Sequence, residues 1–503
     1  MKFEFIRPPY TYFGMLVSPR IDIPLGLLYI ATKLDKMGYE VKIFDALIEN
    51  PKISRYGNII HFGESWENVK KEIERTRPDI VGITNQFTQQ IRSSIQLAKI
   101  IKEVDKNITV VVGGNHPSVL PNDFLNRTED IDIIVMGEGE ETFPEIIEYK
   151  NGNKKLKDIK GIAYREKGKI KINERREFIK NLDEISIPSY HLIDIEKYFA
   201  AVKEGFSTRP DQYTESERQV SVITSRGCPF NCVFCSIHCH MGKVWRSHSP
   251  EYVLKHLEIL TKKYNVKHIH FEDDNLTLDP KRFESILDGI KKRNIKITWD
   301  TPNGVRLDTL NKKLIEKMKE SGCRQLKIAI ESGDQKTLDE IIDKKLDLKK
   351  AVEIAKICRE LKLPLSSFYI IGFPYETRES IEKTLNFAFT LKKKYKVRPH
   401  VSIAIPMMGT RLHDICEKNG YILKKAFDSD SVINVFGEGV IKTEEFSPDD
   451  LQRYIHKFYQ KILLTYIEDM ICEPSIFLGM LKRFFKNPKS TLNVIKAGTS
   501  YLK

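Results

Sequence analysis

Twice along its length this chain of 503 residues alternates short β-branched runs with amphipathic helical stretches, a pattern that points to parallel sheets wrapped by helices. The first series occupies residues 1–150. Its strands are expected at Lys2–Ile6, Glu40–Phe44, Ile80–Thr84, Ile108–Val112 and Ile131–Met136, with helices at Leu25–Met37, Trp66–Arg75, Gln90–Val104 and Glu141–Tyr149. This pattern predicts a doubly wound, Rossmann-like domain, a fold that takes its ligand outside the carboxyl ends of its strands. The second series occupies residues 216–412, with strands expected at Val220–Thr224, His268–Phe271, Ile297–Trp299, Gln325–Ile330, Ser366–Ile371 and His400–Ile405. Six such βα units predict an open, partial (β/α)6 barrel of the TIM type, whose chemistry sits in the loops after the strands. Residues 151–215 read as a connector containing one hairpin, Ile162–Arg165 and Lys169–Ile172 across Glu166-Lys167-Gly168. Residues 413–503 read as a small helical region with one long amphipathic helix, Asp449–Ile467. The fold class is therefore α/β.

Composition is that of a packed globular chain, with 41% hydrophobic and 30% charged residues. No uncharged apolar run approaches the ~20 residues that span a bilayer, and the N-terminus lacks an apolar signal core, so a cytoplasmic location is expected. The net charge of +13 fits either an anionic partner or a lysine-rich surface. No nucleic-acid-binding motif accompanies it, and no nucleic-acid partner is expected. From Leu481 to Lys503 there are six Lys or Arg residues and no acid, interleaved with Phe484, Phe485, Leu492, Val494 and Ile495. That tail reads as a docked helix with a solvated basic face, or as a surface that touches membrane lipid peripherally.

All eight cysteines lie at or after position 228, and four fall within twelve residues: Cys228, Cys232, Cys235 and Cys239. In a reducing compartment such a cluster binds metal more readily than it forms disulfides. The segment Thr224-Ser225-Arg226-Gly227-Cys228-Pro229-Phe230-Asn231-Cys232-Val233-Phe234-Cys235 follows the first barrel strand directly. Three thiolates spaced CxxxCxxC on one tight loop can converge on a four-iron cubane, which normally takes four cysteines, so one iron stays open. Gly227 and Pro229 suit a sharp turn. A zinc site with Cys239 or a nearby His as fourth ligand is the other reading, although zinc ligands usually come in two separated pairs and no second pair exists here. Cys239 itself is either a spare thiol or a functional residue beside the cluster.

This loop resembles the signature of the radical S-adenosylmethionine (SAM) superfamily, in which an aromatic residue precedes the third cysteine as Phe234 does here. The resemblance implies a [4Fe-4S] cluster on Cys228, Cys232 and Cys235 whose open iron binds SAM. An external electron donor such as a flavodoxin or ferredoxin would then drive cleavage to methionine and a 5′-deoxyadenosyl radical. It also implies roles for the later strand ends. Glu272 and Asp273, within Phe271-Glu272-Asp273-Asp274-Asn275, would meet the SAM ammonium, and Asn303 and Arg306 follow the third strand, with Arg306 facing the methionine carboxylate. Glu331 and Ser332 would serve the ribose hydroxyls, and Gly372 and Pro374 would let backbone approach the adenine.

A doubly wound domain ahead of such a barrel resembles the cobalamin-dependent radical SAM family over residues ~1–410. The matching pieces are Pro24-Leu25-Gly26-Leu27-Leu28-Tyr29, Val112-Gly113-Gly114-Asn115-His116-Pro117 and Met136-Gly137-Glu138-Gly139-Glu140-Glu141. The resemblance implies cobalamin contacts at Gly26, Gly113, Gly114, His116, Gly137, Glu138, Gly139 and Glu140, and at Asn85 facing the corrin. The Asp-x-His-x-x-Gly motif that supplies a cobalt ligand in many cobalamin domains is absent, which leaves the lower axial position unassigned.

A radical SAM methylthiotransferase needs three further cysteines in its N-terminal domain, and the first 227 residues hold none. The resemblance therefore implies cobalamin-assisted methylation of an unactivated carbon on a small-molecule or lipid substrate, a C–H bond that no side chain deprotonates at useful rates. Ring formation, rearrangement or carbon–carbon bond formation with the same cofactors is the alternative. A non-catalytic cobalamin or SAM sensor is a third, which the open-iron cysteine loop argues against.

Overall fold

The computed structural model describes residues 1–13, 21–57, 59–206, 216–423 and 439–472. The basic tail beyond 472, and the lipid contact read from it, lie outside the described residues. Strands such as Ile80-Val81-Gly82-Ile83-Thr84 and Thr109-Val110-Val111-Val112-Gly113 are buried along nearly their whole length, as parallel strands covered on both faces must be. In the first sheet β1 (Lys2–Arg7) pairs in parallel with β2 (Glu40–Asp45) on one side and with β3 (Ile80–Thr84) on the other. Beyond β3 follow β4 (Thr109–Gly113) and β5 (Ile133–Val135), both parallel. The chain reverses its direction of travel between β1 and β3, and a crevice opens outside their carboxyl ends at such a switch point. Val69, Ile73, Leu97, Ala98 and Ile101 of the covering helices fill the core against Val81, Ile83, Val110 and Val112.

The hairpin expected in the connector does more than connect. Its strands β6 (Ile162–Glu166) and β7 (Lys169–Ile172) complete the first sheet, β6 pairing antiparallel with β5 through Ile133↔Tyr164 and Val135↔Ile162. The reason is the exposed edge that a three-residue parallel strand would leave, which the buried Ile162, Ala163 and Tyr164 cover. A small antiparallel sheet of Tyr10–Phe13, Ile59–Phe62 and Ile53–Tyr56 was not foreseen. The first compact unit takes in Met1–Ala201 together with Ile237–Gly242.

The second unit is built on six parallel strands, β8 (Gln219–Val222), β9 (His268–Phe271), β10 (Thr298–Asp300), β11 (Cys323–Glu331), β12 (Leu365–Ile371) and β13 (Arg398–Ile403), adjacent in chain order. Its helices start on side-chain caps, among them Ser249, Asp279, Asn311, Asp347 and Thr377, each accepting a hydrogen bond from a first-turn amide. Trp299 packs edge-on against Phe271 and against Phe283 of helix Pro280–Lys292, which marks the helix-covered outer face. Alternation then turns Thr298 and Asp300 to the concave side. A last helix, Pro448–Cys472, lies against helix Arg378–Tyr395, with Asp469 paired to Lys392 and Lys396. Among the described residues no helix is long and apolar enough to cross a membrane.

Candidate active site

The cysteine loop leaves the end of β8 and is anchored along its length. At its start, the Asp273 carboxylate accepts the Thr224 amide at 3.1 Å, the Thr224 hydroxyl at 2.8 Å and the Ser225 hydroxyl at 2.5 Å. Arg282 donates to the Thr224 and His248 carbonyls at 2.9 and 2.7 Å, and Ser225-Arg226 pairs with Arg246-Ser247 as a short antiparallel ladder. In its middle, the Val233 amide donates to the Ile342 carbonyl and the Val233 carbonyl accepts from the Leu412 amide, both at 2.9 Å. Arg411 donates to the Asn231 carbonyl and pairs with Asp343. A loop held this way presents its thiols without paying for ordering at the moment of ligand capture.

Cys228, Cys232 and Cys235 are half-buried and take part in no disulfide among the described residues. Burial pushes the Cys232 thiol up, while nearby Lys344 pulls it down and Glu331 raises it. The Asn275 side-chain amide points its Nδ2 at Cys228 Sγ, 3.9 Å away. Three thiols on one loop, a cation beside one and an N–H donor aimed at another form a donor set suited to a thiolate-ligated iron–sulfur cluster. Phe234 packs against Phe373 with ring centroids 5.8 Å apart, which brings the loop after β12 to the cysteine loop.

Several expected SAM contacts have other partners. Asp273 serves the cysteine loop rather than facing outward, because burial and three donors commit its carboxylate there. Arg306 stacks 3.5 Å above the Phe230 ring, and its donors go to Asp308 and to the Lys344 carbonyl, so its fork is occupied. Glu331, at φ 72°, accepts from the buried Lys344 ammonium at 2.8 Å. A non-glycine residue in that conformation is strained. Ser332 is fully buried and bonds Thr384, so it braces a helix. Glu272 and Asn303 do come together: Asn303 donates to the Glu272 carbonyl at 2.7 Å, and the half-buried Glu272 carboxylate accepts from Ser221 at 3.4 Å. Gly372, at φ 88°, and Phe373 both donate their amides to Glu376 at 2.7 and 2.8 Å, ahead of the buried Pro374. Burial pushes Glu376 up to about 8 against those two donors.

Sequence reasoning missed Lys344 altogether and assigned no role to Asn275 or Glu376, although both lie in strand-end segments it singled out, because their partners are set by the fold. It also missed a group on the concave side of β9 and β10. His268, His270 and Asp300 offer ligand atoms within 4.8 Å of one another. His270 Nδ1 meets Asp300 Oδ1 at 2.6 Å and His268 Nδ1 meets the Thr298 hydroxyl at 2.7 Å. Burial pushes Asp300 up, but the two imidazoles override it and hold the carboxyl well below its usual range.

In the first unit the loops after β3, β4 and β5 meet at the sheet's carboxyl edge. Gly114 has φ 124°, and a Cβ there would stand 2.2 Å from the Asn85 carbonyl, so only glycine permits the two turns to touch. Asn85 is fully buried, donates to Ser94 at 3.0 Å and leaves Oδ1 without a hydrogen-bond partner among the described residues. Ser118 ties two glycine turns, donating to the Gly114 carbonyl at 2.6 Å and accepting the Gly137 amide at 2.9 Å. Glu138 accepts the Ile179 amide at 2.7 Å, Gly139 lies against Ile30, Glu140 is buried, and Gly26 is exposed with open space around it. Both ring nitrogens of His116 are engaged, Nδ1 with Thr88 at 3.0 Å and Nε2 with Asp123 at 3.2 Å. Cys239 lies in the short helix Ile237–His240, and its carbonyl accepts from Arg175, which also donates to the Ser118 carbonyl. A glycine-lined edge with a buried, unsatisfied amide oxygen suits a large ligand that brings its own polar periphery.

Comparison with known proteins follows the same division. Residues 222–388 match the radical SAM superfamily and residues 16–147 match the B12 binding domain. The uncharacterized methyltransferase PH0819 of Pyrococcus horikoshii is 35% identical over 91% of this chain and 92% of its own length. The cytidylyl-2-hydroxyethylphosphonate methyltransferase of Streptomyces wedmorensis is 30% identical over 80% of this chain and 79% of its own. Among solved structures, the cobalamin-dependent SAM radical enzyme OxsB, with aqua-cobalamin and SAM bound, shares the fold at TM-score 0.69 and 18% identity, over 100% of this chain and 78% of that one.

Proposed function

The chain belongs to the family of radical SAM enzymes that carry a B12-binding domain, and on that premise we propose that it methylates an unactivated carbon of a small-molecule substrate. The family's cofactors, a [4Fe-4S] cluster, SAM and cobalamin, are its cofactors. When bound, the cluster supplies one electron for SAM cleavage and cobalamin carries the methyl group.

The observation that carries the reading is the clamped three-thiol loop at the end of β8. We assign Cys228, Cys232 and Cys235 to iron, with Phe234 and Phe373 shielding one side of the loop. Glu272 and Asn303 are assigned to SAM, since they lie together at adjacent strand ends and the Glu272 carboxylate is half-buried. Glu331 and Lys344 form a buried ion pair beside Cys232 and set the charge there. The turn at Gly372, held by Glu376, is assigned to the nucleoside, where its backbone would approach the adenine. Gly113, Gly114, Gly137 and Gly139 are assigned to the cobalamin edge, and Asn85, with its unsatisfied Oδ1, would contact the cofactor there. His116 stays out of the cobalt's coordination, because both of its nitrogens are already bonded.

The electron comes from a flavodoxin- or ferredoxin-type donor, and the protein works in the cytoplasm, a reducing compartment in which a cysteine cluster binds metal more readily than it forms disulfides. Anaerobically reconstituted protein supplied with SAM, cobalamin and a reductant tests the reading. Formation of both 5′-deoxyadenosine and S-adenosylhomocysteine is expected. 5′-Deoxyadenosine alone would favour ring or carbon–carbon bond chemistry, and neither product would leave a binding protein.

A further inference from the structure

A cysteine sulfur bound to iron gains negative charge when its cluster is reduced, so an N–H aimed at that sulfur favours the reduced state. The contact between Asn275 Nδ2 and Cys228 Sγ at 3.9 Å has this geometry, given the long radius of sulfur. The amide is not a surface group that happens to lie near. Asn275 is 1% exposed, its carbonyl accepts from Trp245 Nε1 at 3.0 Å, and its Oδ1 is buried without a partner among the described residues.

The position of the donor is fixed by the frame that fixes the acceptor. Two residues before Asn275, Asp273 holds Thr224 and Ser225, the residues that lead into Gly227-Cys228. Arg282 locks the Thr224 carbonyl from the far side and lies 5.7 Å from the Trp245 ring centroid. Donor and sulfur are therefore carried by one hydrogen-bonded unit, and neither can drift without breaking several bonds. Such pre-set dipoles near a ligand sulfur are a principal means by which proteins shift a cluster's potential.

We propose that Asn275 sets the reduction potential of the cluster, its side-chain N–H on Cys228 raising the potential of the one-electron step from [4Fe-4S]2+ to [4Fe-4S]1+. This rests on the assignment of Cys228 to iron. The sequence places Asn275 directly after the acidic run Glu272-Asp273-Asp274, in a segment that reads as a SAM-binding motif; the proposal gives Asn275 an electronic role instead. Asn275 is a tuning residue rather than a catalytic one, since it touches a ligand sulfur and no reacting atom.

The test is an EPR-monitored redox titration of the anaerobically reconstituted full-length protein, with dithionite as electron donor, alongside iron and acid-labile sulfide content. Asn275→Leu removes the donor while keeping the shape, and Asn275→Ala does so without risk of overpacking. Thr277→Val breaks a 2.6 Å hydroxyl bond to Thr309 two residues away and serves as control for general loosening of the loop. Both Asn275 variants should assemble a cluster yet lower the ratio of reduced to oxidised cluster about tenfold at the wild-type midpoint, a shift of about 59 mV. Thr277→Val should leave the midpoint where it is. A midpoint unchanged in the Asn275 variants overturns the proposal, and so does an equal shift in Thr277→Val. If both Asn275 variants lose the cluster while wild type keeps it, the residue serves assembly and not potential. If wild type itself yields no reducible four-iron cluster, the assignment of the cysteines fails first.

Discussion

Asp273 shows what a buried carboxylate does when its donors come from one loop. The Thr224 and Ser225 hydroxyls and the Thr224 amide all end on it, and Arg282 sits behind. Replacing it with Asn sets an NH2 against one of those donors, a loss on the order of 1–3 kcal/mol for a buried unsatisfied group. Asp273→Asn should therefore lower the iron content of reconstituted protein to roughly half or less and lower the thermal midpoint with it, while cobalamin binding stays intact. Unchanged iron content would return Asp273 to the SAM-facing role that its position in the sequence suggests. Arg306 carries a parallel lesson: its charge is legible in the sequence, but the stacking on Phe230 and the fork to Asp308 are not.

Two elements of the second unit, a turn and a helix, each depend on one carboxylate. The turn after β12 is built on Gly372, where a Cβ would stand 2.5 Å from Leu451, and on Glu376, which caps the Gly372 and Phe373 amides. Burial raises Glu376 from 4.5 to about 8, so its folded form holds a proton that its unfolded form releases. The stability this contributes is fully present below about pH 4.5 and is lost as pH rises through about 8. Chemical denaturation across that window should show wild type losing stability, a few kcal/mol in order of magnitude, more steeply than Glu376→Gln. Parallel profiles would mean that the two amides keep the carboxylate ionised. The helix Pro448–Cys472 depends on Asp469, which meets the buried Lys392 and the neighbouring Lys396. Asp469→Ala strands a buried ammonium at a cost of about 3–5 kcal/mol. Hydrogen exchange should then report loss of protection over this helix and little change in β8 to β11.

On the scale of the molecule, the two cofactor sites are assigned to separate sets of strand ends, and they should be separable by mutation. Protein with Cys228, Cys232 and Cys235 all replaced by alanine is expected to bind cobalamin at the wild-type stoichiometry by its visible spectrum, yet to form no 5′-deoxyadenosine. Loss of cobalamin binding in that variant would show that the first sheet's ligand edge needs the cluster loop. The alternation of β-branched runs and amphipathic helices made both sheets legible, because it is a local period that burial on two faces imposes on every strand. The cysteine loop was legible for the same reason: three cysteines within eight residues need no distant partner to be recognised as a candidate ligand set. The hairpin Ile162–Ile172 was legible as a hairpin, but its pairing with β5 was not, since an open edge selects its partner by proximity in space. The same holds for Lys344 beside Glu331, for Asn275 beside Cys228 and for both nitrogens of His116. The sequence by itself determined the fold class and the family, and it singled out the three cysteines proposed as cluster ligands, all written in short-range spacing. Only the tertiary structure decided which charged and polar side chains of the strand-end loops stay available to a ligand and which are spent on holding the loops, because a hydrogen bond between residues tens of positions apart leaves no trace in local order.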